Sequence, residues 1–200
     1  MLSSRFEAAL GYALEVHTGQ TRKGSSIPYI SHLLIVAGTA LEYGADEDVA
    51  IAALLHDAVE DGGGEVRATE IRRRFGDRVA DIVLGCTDTL ETPKPSSRER
   101  KRRHLEHLAI HADEAVLFVV ACDKLANVRS ILKDYHAHGD AAFDKFNVTR
   151  LETLDYYRRL ADILMAHGES RVAEELGREV AQLQSLMHGH AAAPLGEGVG

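Results

Sequence analysis

The run Ala52-Ala53-Leu54-Leu55-His56-Asp57-Ala58-Val59-Glu60-Asp61 sets four polar side chains, each able to bind a metal or move a proton, at the end of a strongly apolar stretch. A sequence built for packing alone does not leave such groups there, because a buried polar atom without a partner is costly. The apolar spacing predicts a helix over residues 47–60 with Asp46 as its N-cap. On that helix His56 and Glu60 stack at i, i+4, and Asp57 and Asp61 stack on the neighbouring stripe. Gly62-Gly63-Gly64 reads as the helix stop. The acidic pair alone fits a hydrated helix terminus equally well; the adjacent His-Asp inside the apolar run does not.

Toward the N-terminus, a helix over residues 4–18 presents Phe6, Leu10, Ala13, Leu14 and Val16 on one face. Residues 20–28 form a Gly-, Ser- and Pro-bearing loop in which Arg22 and Lys23 have no local acid to answer them. Pro28 suits the first turn of a helix over residues 29–43, which carries His32. Toward the C-terminus, Thr69 and Glu70 open a short helix ending at Phe75-Gly76, and Asp77 starts another. Residues 87–97 lose periodicity, gain prolines and read as a mobile loop; a charged helix follows at 98–111. The run Ala115 to Cys122 is apolar enough for a buried strand. It continues into Asp123-Lys124-Leu125-Ala126-Asn127 without a turn signal, which favours a central buried helix. Two amphipathic helices, 145–167 and 169–188, close the pattern. The expected organisation is one all-α domain over residues 1–188, a helical bundle, and a flexible tail over 189–200.

A chain of 200 residues, 45% apolar, with no Trp and only four Pro, has enough interior for one full core and the composition of a helical protein. Its net charge of −8 argues against nucleic acid as a partner. Cys86 and Cys122 stand far apart in apolar contexts and read as reduced thiols, which points to the cytoplasm. The start, Met1 to Glu7, carries an acid too early for a signal peptide. No apolar run approaches the ~20 residues that span a membrane. Oligomeric state is not legible.

His32, His56, Asp57 and Asp123 all sit in or beside apolar helical runs, and each needs a partner if buried. Singly, each reads as a satisfied core residue; together they make a mixed nitrogen and oxygen set suited to one divalent transition ion such as Mn²⁺, Fe²⁺ or Zn²⁺. Such an ion makes bound water more acidic and offsets charge on a phosphoryl oxygen. Glu60 and Asp61, one turn on, are placed to orient or deprotonate that water. Lys124 and Asn127 stand where they reach phosphate and sugar oxygens, or decorate the surface. His104, His107 and His111 also share a helical face, but their exposed, charged surroundings argue against a metal.

The pattern His32, His56-Asp57, Asp123 resembles the HD superfamily of metal-dependent phosphohydrolases. Arg22-Lys23-Gly24 with Pro28 to His32, Ala52 to Asp61, Phe75 to Ala80 and Asp123 to Asn127 are similar to the hydrolase domain of the RelA/SpoT alarmone enzymes. The likeness covers residues 1–165 and leans toward stand-alone small alarmone hydrolases, including the metazoan type. It implies an HD-domain helical bundle and Mn²⁺-dependent removal of pyrophosphate from the 3′ position of guanosine tetra- and pentaphosphate. It also implies that His32, His56, Asp57 and Asp123 hold the metal and that Glu60 and Asp61 act on the attacking water. Arg22 and Lys23 would flank the base, Asn127 the ribose, and Tyr156 or Tyr157 one wall. Two departures, Gly62-Gly63-Gly64 and the simplified Asp123 segment, leave base selectivity open. Adenosine alarmones, NADPH, another HD nucleotide phosphohydrolase activity and, last, a non-catalytic nucleotide sensor stay as alternatives. On this reading the Arg98–Arg103 cluster is either a solvated helix face or a positive field that draws in a phosphorylated nucleotide.

Overall fold

A helix that is apolar on every face belongs in the middle of a fold, and every residue from Val49 to Leu55 is buried. The computed structural model describes residues 1–91, 93–111 and 113–191, with the side chains of Asp61, His111 and residues 189–191 outside the description. Its helices are α1 (Ser4–Val16), α2 (Ile30–Glu42), α3 (Glu47–Leu55), α4 (Ala58–Gly62), α5 (Gly64–Phe75), α6 (Asp77–Cys86), α7 (Ser97–His111), α8 (Glu114–His138), α9 (Arg150–Ala166) and α10 (Arg171–Ala191). The fold is all-α, and among the described residues the β structure is one isolated bridge, Thr21 to Pro28.

α3 packs against α1, α2, α6 and α8. The long α8 is the second axis, in contact with α2, α3, α6, α9 and α10. Its apolar run is helical, as expected, because the burial it needs comes from neighbours on all sides rather than from a sheet. α6 lies close on α8 at Gly85, where an added Cβ would stand 2.5 Å from Val116 Cγ2. No helix among the described residues is long and apolar enough to cross a membrane.

Four expectations are corrected. The single helix over residues 47–60 is two helices, broken at His56 and Asp57. The break falls where His56 Nδ1 bonds the Ala53 carbonyl at 2.8 Å and Asp57, at φ −94° and ψ −4°, sits at the edge of the right-handed helical region. The triple glycine stops α4 at Gly62, as expected, with Gly63 at φ 126° as its C-cap, but the next helix, α5, begins at Gly64 instead of Thr69. Pro28 precedes α2 rather than opening it, held in a small hairpin by Arg22 N–H to Ile27 O at 2.8 Å and Tyr29 N–H to Gln20 O at 2.9 Å. α9 starts at Arg150, not at 145, because Thr149 and Glu152 form a capping box that places the start. At the other end α10 runs past the expected boundary at 188, and residues 192–200 of the expected tail lie outside the described residues.

Candidate metal and nucleotide site

The break between α3 and α4 is what shapes the site. With Nδ1 occupied by the Ala53 carbonyl, His56 presents Nε2 toward His32 and the carboxylates. His56 Nε2 lies 3.0 Å from Asp57 Oδ2 and 3.6 Å from Asp123 Oδ1. His32 Nε2, one helix away on α2, lies 3.1 Å from the same Asp123 oxygen and 3.8 Å from Asp57 Oδ2. Donor atoms of His32, His56 and Asp57 fall within 4.8 Å of one another, so these three can hold a metal ion, and Asp123 meets both imidazoles from α8. His56 Nε2 is buried and has no hydrogen bond of acceptable geometry, so it is free to coordinate a metal ion.

Electrostatics bind the group together. Burial alone would raise the Asp123 carboxyl, but Lys124 and the two imidazoles outweigh it and hold it well below the usual carboxylate range. Burial works against a charged His56, yet Asp57 and Asp123 carry it well above the usual imidazole value. At Asp57, burial is likewise outweighed by the His56 imidazole, and the carboxyl titrates low. Burial lowers His32 despite Asp123. The Tyr29 hydroxyl donates to Asp57 Oδ2 at 2.5 Å and fixes the carboxylate's orientation.

These groups line a cavity of about 140 Å³ together with Arg22, Glu60, Asp88, Lys124 and Asn127. Of the residues singled out from sequence, Lys23 and Tyr156 do not line it. Lys23 is exposed and reaches Asn147 Oδ1 at 3.4 Å, while Tyr156 is buried between α7 and α9. The side chain of Asp61 lies outside the described residues. Lys124 is no surface decoration: its ammonium stands 2.6 Å from Asp123 Oδ2. Asn127 bridges the two halves of the site, donating to Asp123 Oδ1 at 2.6 Å and accepting from Arg22 Nη2 at 2.8 Å.

Glu60 points from α4 into a cationic corner. Its Oε1 accepts from Arg100 at 2.9 Å and Lys94 at 3.1 Å. Burial and the nearby Asp88 raise its pKa, which brings a carboxylate closer to the range useful for general base work. Lys94, Asp88 and Tyr29 were given no role from sequence, and Arg100 only a shared one, as a member of the Arg98–Arg103 cluster. Asp88 falls in the segment read as a loop, and its one signal was an acid directly after an apolar helix. His104 corrects an expectation: it is buried, not exposed, with Nδ1 3.0 Å from Asp88 Oδ1, and burial pushes its pKa down to about 3. The Arg98–Arg103 cluster divides. Arg98 pairs with Glu152, Arg102 with Glu99 and Glu106, and Arg103 with Glu91 and Glu99 on the outer side, while Arg100 turns inward.

Residues 9–164 match a family model described as HD domain. The guanosine-3′,5′-bis(diphosphate) 3′-pyrophosphohydrolase MESH1 of Xenopus tropicalis is 40% identical over 126 residues, 62% of this chain and 67% of that protein. The bifunctional (p)ppGpp synthase/hydrolase SpoT of Escherichia coli is 32% identical over 180 residues, 88% of this chain and 24% of that one. The chain spans 16% to 24% of the length of the long bacterial relatives it matches. Among solved structures, a metazoan ortholog of SpoT that hydrolyzes ppGpp superposes with a TM-score of 0.76 at 26% identity, covering 93% of this chain and 98% of that one.

Proposed function

This chain belongs to the HD-domain family, and we propose that it removes the 3′-diphosphate of guanosine tetra- and pentaphosphate, releasing pyrophosphate and leaving GDP or GTP. The observation that carries the reading is the meeting, in one cavity, of the His32, His56, Asp57 and Asp123 cluster with Glu60 and the Arg22–Asn127 pair. His32, His56, Asp57 and Asp123 would hold one divalent ion; the mixed imidazole and carboxylate donors suit Mn²⁺, Fe²⁺ or Zn²⁺, and the resemblance to the alarmone hydrolases selects Mn²⁺. When bound, the ion supplies Lewis acidity toward water and the phosphoryl oxygens.

The chain's own residues do the rest. Glu60, with Asp61 as its partner, takes a proton from the attacking water. The water oxygen bonds to the α-phosphorus of the 3′-diphosphate, the P–O3′ bond breaks, and O3′ takes up a proton as the nucleotide leaves. Arg22 holds the base side, stacked 5.7 Å from the Tyr29 ring and tied to Asn127, whose amide is also within reach of the ribose. Lys124 neutralises Asp123 and adds positive charge beside the phosphoryl group.

The test is direct. Purified protein supplied with Mn²⁺ and guanosine 3′-diphosphate 5′-diphosphate should release pyrophosphate and GDP. Orthophosphate as the sole product, or no turnover across a panel of 3′-phosphorylated nucleotides, overturns the reading.

A further inference from the structure

Asp88 stands in the wall of the cavity, two residues beyond the end of α6, and the reaction above leaves it without a task. Its two oxygens meet two residues of α7 that lie one turn apart on the same face. Oδ1 is 3.0 Å from Nδ1 of the buried His104, and Oδ2 is 3.7 Å from Arg100 Nη1. That same Nη1 donates to Glu60 Oε1 at 2.9 Å. One guanidinium nitrogen is therefore shared by two carboxylates, and His104 anchors the second of them.

The pairing of Arg100 with Glu60 falls short of its best geometry. A guanidinium and a carboxylate bind most strongly through two parallel N–H···O bonds. Arg100 uses one nitrogen on one oxygen, and its Nε is buried without a hydrogen bond. Lys94 falls on the same Oε1 at 3.1 Å, and among the described residues no hydrogen bond is made to Glu60 Oε2. Burial raises the Glu60 pKa, Asp88 raises it further, and Lys94 and Arg100 oppose them. A base needs one oxygen clear for its water and enough proton affinity to take the proton. A guanidinium closed over both oxygens of Glu60 would remove the first and lower the second. We propose that Asp88 is a positioning residue that draws Arg100 to one side and so keeps it from closing over both oxygens of Glu60, an inference that rests on the base role given to Glu60 above.

The test is a double-mutant cycle of Asp88→Asn and Arg100→Met, alone and together, each variant checked for native helicity by circular dichroism. The first readout is the titration of the Glu60 carboxyl by carbon-13 NMR, assigned with Glu60→Gln, on protein loaded with diamagnetic Zn²⁺; it needs no turnover. Asp88→Asn should lower the Glu60 pKa by about one unit, because Arg100 then closes on both oxygens. In the Arg100→Met background the same substitution should move it much less. The second readout is pyrophosphate release with Mn²⁺ across pH. Asp88→Asn should shift the acid limb down with the NMR value and lower kcat by about tenfold with KM unchanged, and adding Arg100→Met should regain most of that loss. Equal shifts in both backgrounds would show that Asp88 acts through its own charge, and they overturn the proposal, as does an Asp88→Asn variant whose Glu60 titrates like wild type. If Asp88→Asn does not fold, Asp88→Ser carries the same expectations. Turnover without coupling sinks the role of Asp88 and leaves the hydrolase reading standing; coupling in the NMR cycle beside a wild type that releases no pyrophosphate does the reverse.

Discussion

Helices α7 and α8 deliver cations to the same cavity from opposite kinds of sequence. α8 does so from the core: Asp123 and Lys124 follow an unbroken apolar run, and their contact is almost closed to solvent, with side chains 8% and 18% exposed. α7 does so from a charged surface, turning Arg100 onto Glu60, an acid of the cavity wall, while Arg98, Arg102 and Arg103 pair outside with glutamates. The difference is one of exchangeability. A pair inside the core is part of what holds the helices in place, and removing one member leaves the other stranded. A cation brought in from the surface can trade its carboxylate for a substrate oxygen with less disturbance to the fold.

The sharpest break of this contrast is Asp123→Ala. It removes the carboxylate that meets both imidazoles from α8 and leaves Lys124 without its partner, so metal content by plasma mass spectrometry should fall to background and activity with it. Stability should drop by about 3–5 kcal/mol in urea denaturation. Retention of stoichiometric metal would mean that His32, His56 and Asp57 suffice. Glu60→Gln comes next: metal should be kept while the rate falls by about 10² to 10⁴. Because burial and Asp88 raise the Glu60 pKa, the group loses its proton later as pH rises, and kcat/KM of the wild type should fall as pH drops through that value. The glutamine variant should lack this acid limb. The smallest effect belongs to α7. Arg100→Met takes away a cation 2.9 Å from Glu60, which makes the ionised carboxylate harder to form and moves the acid limb to higher pH by about one unit or less. A limb that stays put would show that Arg100 does not act through Glu60.

The same two helices measure what could be read from the chain. α8 was legible because an apolar run without a turn signal, ending in Asp-Lys, has few places to go; its helical state and its central position both followed. His32, His56, Asp57 and Asp123 stood out for a related reason, since polar groups inside apolar stretches must find one another. Arg100 was not separable from Arg98, Arg102 and Arg103. A row of adjacent cations gives no hint of which turn inward until the neighbouring acids, Glu60 on α4 and Glu99 on α7 itself, are placed in space. His104 was misjudged by the same local charge, and its partner Asp88 stands well before it in the chain. The break at His56 was hidden for another cause: the apolar period runs straight through it, and the side-chain bond to the Ala53 carbonyl that accompanies it leaves no mark in the sequence.

Gly85 carries a consequence for how the chain tolerates change. Its bare Cα lets α6 lie against Val116 of α8, and the residues that follow are Cys86, in the cavity wall, and Asp88, which faces Arg100 and His104. Even a methyl group there meets a branched side chain that has no room to swing away. The narrowest constraint on the cavity's far wall is therefore a position with no side chain at all, and a library of variants should find it as intolerant as the residues that carry the chemistry.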